Sequence, residues 1–334
     1  MPIIFSEASG LNDSIYGKCQ TPIRMFLEQR AEAFQQNSVL NNLFLMGTSD
    51  NYGDRLTTMT GMDEFRPVGE NGAYPSLSMQ EGYGKDLIYE TWKAEFGISK
   101  EMIEDAKLMD MRKQPAAFMT AYERTREKFG AAIYAGFIGK ANSVSFNGRS
   151  FDVRAADGCA MAATNHPAKV KKGLTQSNCF SNAFSAALLG KVETEMHLFK
   201  GDNGEILDVA PDTILIPDIA TLKNAVFEAI GSDKNPTNST NAFNYQYGRW
   251  TVIIWPYLNQ YITAGTAPWI LLDSTYNQNY GGAVWNDRIQ LEVRSIIDEN
   301  TDANKWKGRS RFNATGNDWR FFAVGGVTGG TDLS

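Results

Sequence analysis

Between Met62 and Phe96 lies a stretch patterned like a β-hairpin that cannot stand by itself. Met62–Val68 reads as one strand, and Asp86–Phe96, with Leu87, Tyr89, Thr91, Trp92 and Phe96, reads as the other. Gly69, Gly72, Pro75, Gly82 and Gly84 fill the stretch between, so the tip is a wide loop and not a two-residue turn. Charges at Glu64, Arg66, Glu90, Lys93 and Glu95 interrupt the apolar pattern. A two-stranded ribbon is marginal in water, so this one has to rest on a partner surface. Residues 1–60 pose the same problem. They are rich in Asn, Ser, Gly and Gln and offer one amphipathic helix, capped by Thr21 with Pro22 in its first turn, and with Ile23, Phe26, Leu27 and Phe34 near one face. A segment that long with so few apolar anchors leans on the rest of the chain or on a neighbour.

The remainder has ample material for a core. The chain has 334 residues, 43% apolar and 21% charged, which excludes wholesale disorder. Its net charge of −6 argues against a dedicated nucleic-acid binder. No apolar run is long enough to span a bilayer, and the start of the sequence lacks the pattern of a signal peptide, so no membrane partner is expected.

Helical periodicity appears first after Ser99, with Glu101 and Glu104 in the opening turns. Pro115 is expected to break this helix and start a second. From there Phe118, Tyr122, Phe129, Ile133 and Phe137 form one face, and Glu123, Arg124, Arg126, Glu127 and Lys128 form a charged face opposite. A further helix is predicted over 178–199, on a stripe of Phe180, Phe184, Leu188, Val192 and Met196. Another is predicted over 219–230. Apolar strands are predicted at 213–216, 250–255 and 269–272. The alternation of Ile289, Leu291 and Val293 with charged neighbours marks a half-buried strand, and 306–312 and 319–324 complete an antiparallel set. The class is α+β.

Catalytic and metal motifs are sparse. Cys19, Cys159 and Cys179 are far apart and form no Cys-x-x-Cys pair, and the only histidines are His166 and His197. Cys159 and His166 are close enough in sequence to suggest a nucleophile pair, but a half-buried cysteine and a loop histidine are the plainer reading. No catalytic residue, cofactor or metal is expected. Tyr74, Tyr83, Tyr89, Trp92, Trp285 and Trp306 fall in segments read as edges, where they serve either as core or as interface anchors.

The order of these parts resembles the major capsid proteins of tailed bacteriophages, the fold first seen in phage Hong Kong ninety-seven, and within them the Mu-like major head subunits. The resemblance rests on four elements. They are Phe96–Ile103, where the hairpin returns into a helix; Pro211–Pro217 before the next helix; Val252–Leu258 followed by Trp269–Asp273; and the pair Lys307–Phe312 and Asp318–Arg320. It implies an N-terminal arm over 1–60, an extended β-hairpin loop over 61–98, and a peripheral domain with a long spine helix over 99–200. An axial domain over 201–283 and returning peripheral strands and a tail over 284–334 would complete it.

The implied function is a structural major head subunit, not an enzyme. It would assemble with itself into hexamers and pentamers that enclose double-stranded DNA, bound non-specifically. Scaffold, portal and decoration proteins are the implied partners, the virion capsid the implied location, and the host cytoplasm the place of assembly. Glu64, Arg66, Lys85, Glu90, Trp92, Lys93 and Glu95 are the expected inter-subunit contacts. Only about 60 residues precede the hairpin, which favours a separate scaffold over a built-in one. An encapsulin-like nanocompartment around a cargo enzyme is the alternative, and the length of the arm counts against it.

Overall fold

In a computed structural model of the chain, the described residues are 4–6, 38–59, 65–76, 81–99, 101, 108–233, 243–298 and 303–333. The early strands are β1 (Ile4–Ser6), β2 (Leu45–Thr48), β3 (Gly53–Met59), β4 (Glu81–Ile88) and β5 (Glu90–Ile98). Short strands follow: β6 (Ser143–Phe146), β7 (Arg149–Asp152), β8 (His166–Pro167) and β9 (Thr175–Gln176). The later strands are β10 (Thr213–Pro217), β11 (Thr251–Trp255), β12 (Trp269–Leu272), β13 (Ala283–Asp298), β14 (Ala303–Gly316) and β15 (Phe322–Gly325). The helices are α1 (Leu40–Leu43), α2 (Leu108–Ile138), α3 (Ala186–His197), α4 (Ala220–Ile230) and α5 (Ser274–Tyr280).

Two sheets share one core. In the larger, the long hairpin β13–β14 is flanked by β5 on one side and by β1 and β2 on the other, in the order β1-β13-β14-β5 with β2 also on β13. In the smaller the order is β11-β10-β12-β15. Its strands β10 and β11 run parallel, joined through α4, and β10 and β12 are buried along their whole length. The strand over 319–324 was expected beside 306–312. Instead Trp319–Phe321 forms a 3-10 turn, and β15 joins the smaller sheet against β12.

Helix α2 is the spine between them, 31 residues and about 46 Å long at 1.5 Å per residue. It runs straight through Pro115, where a break was expected. The flanking Leu108–Gln114 and Ala116–Thr120 are good helix formers, and the proline forfeits one backbone hydrogen bond without ending the helix. The predicted face is real: Phe118, Phe129, Ile133 and Phe137 are buried. Close approach to β14 requires Gly308, because a Cβ there would run into the Phe118 ring.

The charged face of α2 is not wholly a solvated one. Arg126 is buried, donates to both carboxylate oxygens of Asp287 at 2.7 and 3.1 Å, and lies over the rings of Trp285 and Phe312. Glu127 accepts from Ser38 Oγ at 2.7 Å and Trp255 Nε1 at 3.0 Å.

The helix expected over 178–199 starts only at Ala186, with Ser185 as its cap accepting from Leu188 N. Upstream, the Asn178 amide is locked. Its Oδ1 accepts from Ala163 N at 3.0 Å, its Nδ2 donates to Met161 O at 3.0 Å, and Cys179 and Phe180 bridge to Val324 and Thr331 as extended chain. These buried partners hold the backbone away from helix geometry. No helix among the described residues is long and apolar enough to cross a membrane. The predicted helix over 22–34 and Cys19 lie outside the described residues.

Candidate assembly surface

The ribbon exists, but its first strand lies earlier than its sequence suggests. β3 at 53–59 pairs antiparallel with β4, from Gly53 opposite Ile88 to Met59 opposite Glu81. Residues 65–68, expected to be strand, belong to an irregular stretch in which every residue from 65 to 76 is exposed. Phe65 and Tyr74 are 94% and 97% exposed, so large apolar side chains project with none of the described residues packed over them. Met62–Glu64, the start of the expected strand, lies outside the described residues.

The root of the ribbon is held firmly. Leu87 and Tyr89 pack with Val284 and Leu56. Asp54 gathers four side-chain donors, from Tyr89, Asn51, Ser49 and Asn286. Burial alone would raise its carboxyl, and these hydrogen bonds outweigh it, leaving the group below its usual range. Lys85 Nζ donates to Arg154 O at 2.5 Å and reaches Asp152 Oδ1, Asp152 O and Gly316 O, each at 3.4 Å. Desolvation pulls this ammonium down to about 8, with Asp152 opposing. Lys169 Nζ clamps the other end, donating to Glu81 O at 2.8 Å and Gly82 O at 2.5 Å beneath the Tyr83 ring.

The seven expected contact residues therefore separate. Arg66 is on the exposed loop, and Glu64 is outside the described residues. Lys85 is only 11% exposed and spent on its own chain. Glu90 is half-buried opposite Phe312.

Trp92 is used inside. It stacks on Phe312 at 5.0 Å and Phe151 at 6.1 Å, touches Phe129 and Phe146, and donates from Nε1 to Phe312 O at 3.3 Å. Trp285 and Trp306, also weighed as interface anchors, are fully buried. Alternation along a strand tells which residues share a face, not whether that face is covered by the same chain.

Lys93 and Glu95 remain exposed on β5, the outermost strand of the larger sheet. With Glu292, Arg294, Lys307 and Arg309 they line a mixed-charge groove of about 490 Å³. A free strand edge beside such a groove is a ready template for another chain.

A second exposed patch emerges from what reads as a polar loop before β11. Phe243, Tyr245 and Tyr247 are 78%, 55% and 52% exposed, and β11 ends the smaller sheet. Their i, i+2, i+4 spacing in sequence is the signal that marks them.

Cys159 and His166 do come together, but not as a nucleophile and base. His166 Nδ1 meets Asp157 Oδ2 at 2.6 Å, and burial together with Asp157 pushes the Cys159 thiol up, away from the thiolate that attack requires.

Residues 90–325 match the model of a family described as "phage capsid protein". No curated protein matches the chain. Solved structures similar to it include the capsid of Myoviridae phage XM1, at 11% identity and TM-score 0.47, covering 86% of this chain and 91% of that one. The capsid of an empty GTA particle is similar at 12% identity and TM-score 0.47, covering 86% and 88%. Mycobacterium phage Patience is similar at 12% identity and TM-score 0.48, covering 100% and 95%. None of these singles out the Mu-like branch. The family model carries the assignment, covers the spine helix, the smaller sheet and the larger sheet apart from β1 and β2, and does not favour the nanocompartment alternative. The chain belongs to the phage capsid protein family and is a structural subunit of a capsid shell.

Proposed function

We propose that copies of this chain join head to tail into hexamers and pentamers, and that these close an icosahedral phage head around double-stranded DNA. The observation that carries this reading is the ribbon: rooted through Asp54, held along its length by Lys85 and Lys169, it ends in a fully exposed 65–76 loop bearing Phe65 and Tyr74. A limb fixed at one end and apolar at the other suits a neighbouring surface, and heterologous contacts of this kind close into rings. In this reading residues 1 to about 52 are the arm and 53–88 the extended loop. The larger sheet and α2 form the peripheral body. The smaller sheet forms the axial part, with Phe243, Tyr245 and Tyr247 toward the ring axis.

Arg66, Lys93 and Glu95 are the contact residues we retain. Their mixed signs set register more than strength. The net charge of −6 suits a wall that does not grip its genome. Non-specific contact with DNA phosphates falls to exposed Arg124, since Arg126 is committed to Asp287. Scaffold, portal and decoration proteins are the remaining proposed partners, with assembly in the host cytoplasm.

Sedimentation velocity tests the reading. The purified chain, alone or co-expressed with a scaffold protein, is expected to yield particles of capsid size that survive dilution. A single 37.0 kDa species in both preparations would overturn it.

A further inference from the structure

Three donor atoms of different chemistry converge just after β7. The turn is set by backbone: Ala155 N donates to Cys159 O at 2.9 Å, Gly158 N to Ala155 O at 3.0 Å, and Gly158 takes a φ of 84° that favours glycine. Cys159 N then donates to Asp157 Oδ1 at 2.9 Å, which fixes that carboxylate. Its other oxygen holds His166 Nδ1 at 2.6 Å, and the imidazole lies flat on Trp319, ring centres 4.3 Å apart. His166 is fully buried, and its Nε2, on the side of the ring away from Asp157, meets no hydrogen-bond partner among the described residues.

We propose that Asp157, Cys159 and His166 form a binding site for a divalent transition-metal ion of the zinc class. One donor atom from each residue lies within 4.8 Å of the other two, and Cys159 carries a free, half-exposed thiol through which an ion can enter. Thiolate, imidazole and carboxylate are the ligand set that zinc takes, and hard cations such as magnesium or calcium do not. Asp157 Oδ2 and His166 Nδ1 already lie side by side at 2.6 Å, so an ion held by both replaces the proton between them and leaves Nε2 as the protonated nitrogen. Three protein donors leave a fourth position for water or another side chain. Binding replaces the thiol proton by the metal, which releases one proton per site and changes no oxidation state. The site lies close in sequence to the clamp on the loop end of the ribbon, because Lys169, three residues beyond His166, holds Glu81 and Gly82. The proposal is independent of the shell reading.

The test is to strip the purified chain with a chelator and titrate it with Co²⁺, then with Zn²⁺. The wild-type chain is expected to take up one Co²⁺ with a near-ultraviolet thiolate-to-cobalt charge-transfer band, which Zn²⁺ abolishes. Cys159→Ser should lose the band, and Asp157→Asn, which removes a direct ligand, should bind more weakly by at least the roughly 10–100-fold of an outer-shell change. Cys19→Ser should keep both band and affinity. Absence of stoichiometric uptake by the wild-type chain, or a band and affinity unchanged in Cys159→Ser, would overturn the proposal.

Discussion

Replacing Trp92 by alanine separates core from interface, because the two roles predict opposite readouts. The ring sits between Phe312 and Phe151 with Phe129 and Phe146 at its edges, and its indole N–H is spent on Phe312 O. Removing a packed tryptophan leaves a cavity and costs about 3–5 kcal/mol. Because one side of Trp92 keeps some solvent contact, the lower end of that range is expected. For 334 residues, at about 2.1 cal/mol/K each, the unfolding entropy is about 0.7 kcal/mol/K. The melting temperature of the unassembled subunit should therefore fall by about 4 °C in Trp92→Ala. Trp92→Phe, which keeps the stacking, should lose much less. Scanning calorimetry on unassembled subunits reads this directly. A shift below about 1 °C together with lost assembly would refute the reasoning and return Trp92 to an interface.

Three further outcomes follow from the geometry. Deleting residues 66–75 should leave the thermal unfolding of the subunit unchanged while abolishing shells in sedimentation, because that stretch makes no core contact; normal shells would contradict the role given to the loop. Arg126→Met leaves Asp287 buried without its partner and should cost about 3–5 kcal/mol in denaturant unfolding, whereas Arg126→Met with Asp287→Leu should recover most of it. Lys85 loses its proton near pH 8 when folded and near its ordinary 10.5 when unfolded, so in that window the unfolded chain binds more protons. Its contribution to stability therefore rises from about pH 8 to 10.5, and the difference in melting temperature between wild type and Lys85→Met should grow in the wild type's favour over that range.

Much of the fold is legible because its signals are local. Thr213–Pro217, Thr251–Trp255 and Trp269–Leu272 are apolar runs bounded by Pro, Asp and polar residues, and only a buried strand satisfies them. The spine helix is legible from its four- and seven-residue spacing. What fails depends on partners far away in sequence. Gly53–Met59 carries little alternation and becomes a strand through its register with β4 and the donors that converge on Asp54. Trp285, Trp306 and Trp92 look like edge aromatics until the spine helix and the short β6–β7 hairpin cover them.

Asn147-Gly148, both at positive φ, is a strong local turn signal and joins β6 to β7. The meeting of Asp157, Cys159 and His166 has no recognised spacing. Only the turn at Gly158 and the stacking on Trp319 bring them together, so sequence alone points to no metal there. For the proposed assembly surface, Arg66, Lys93 and Glu95 fall on segments that the structure leaves exposed, whereas Lys85 and Trp92 are engaged by their own chain, which no local pattern in the sequence signals.

The central claim is that the exposed 65–76 loop is completed by another copy of the same chain. A cryo-electron microscopy reconstruction of assembled particles measures this directly. The account predicts Phe65 and Tyr74 of each subunit seated against the body of an adjacent subunit within a ring-built closed shell. Particles in which both side chains remain in solvent, or fold back on their own subunit, would contradict it.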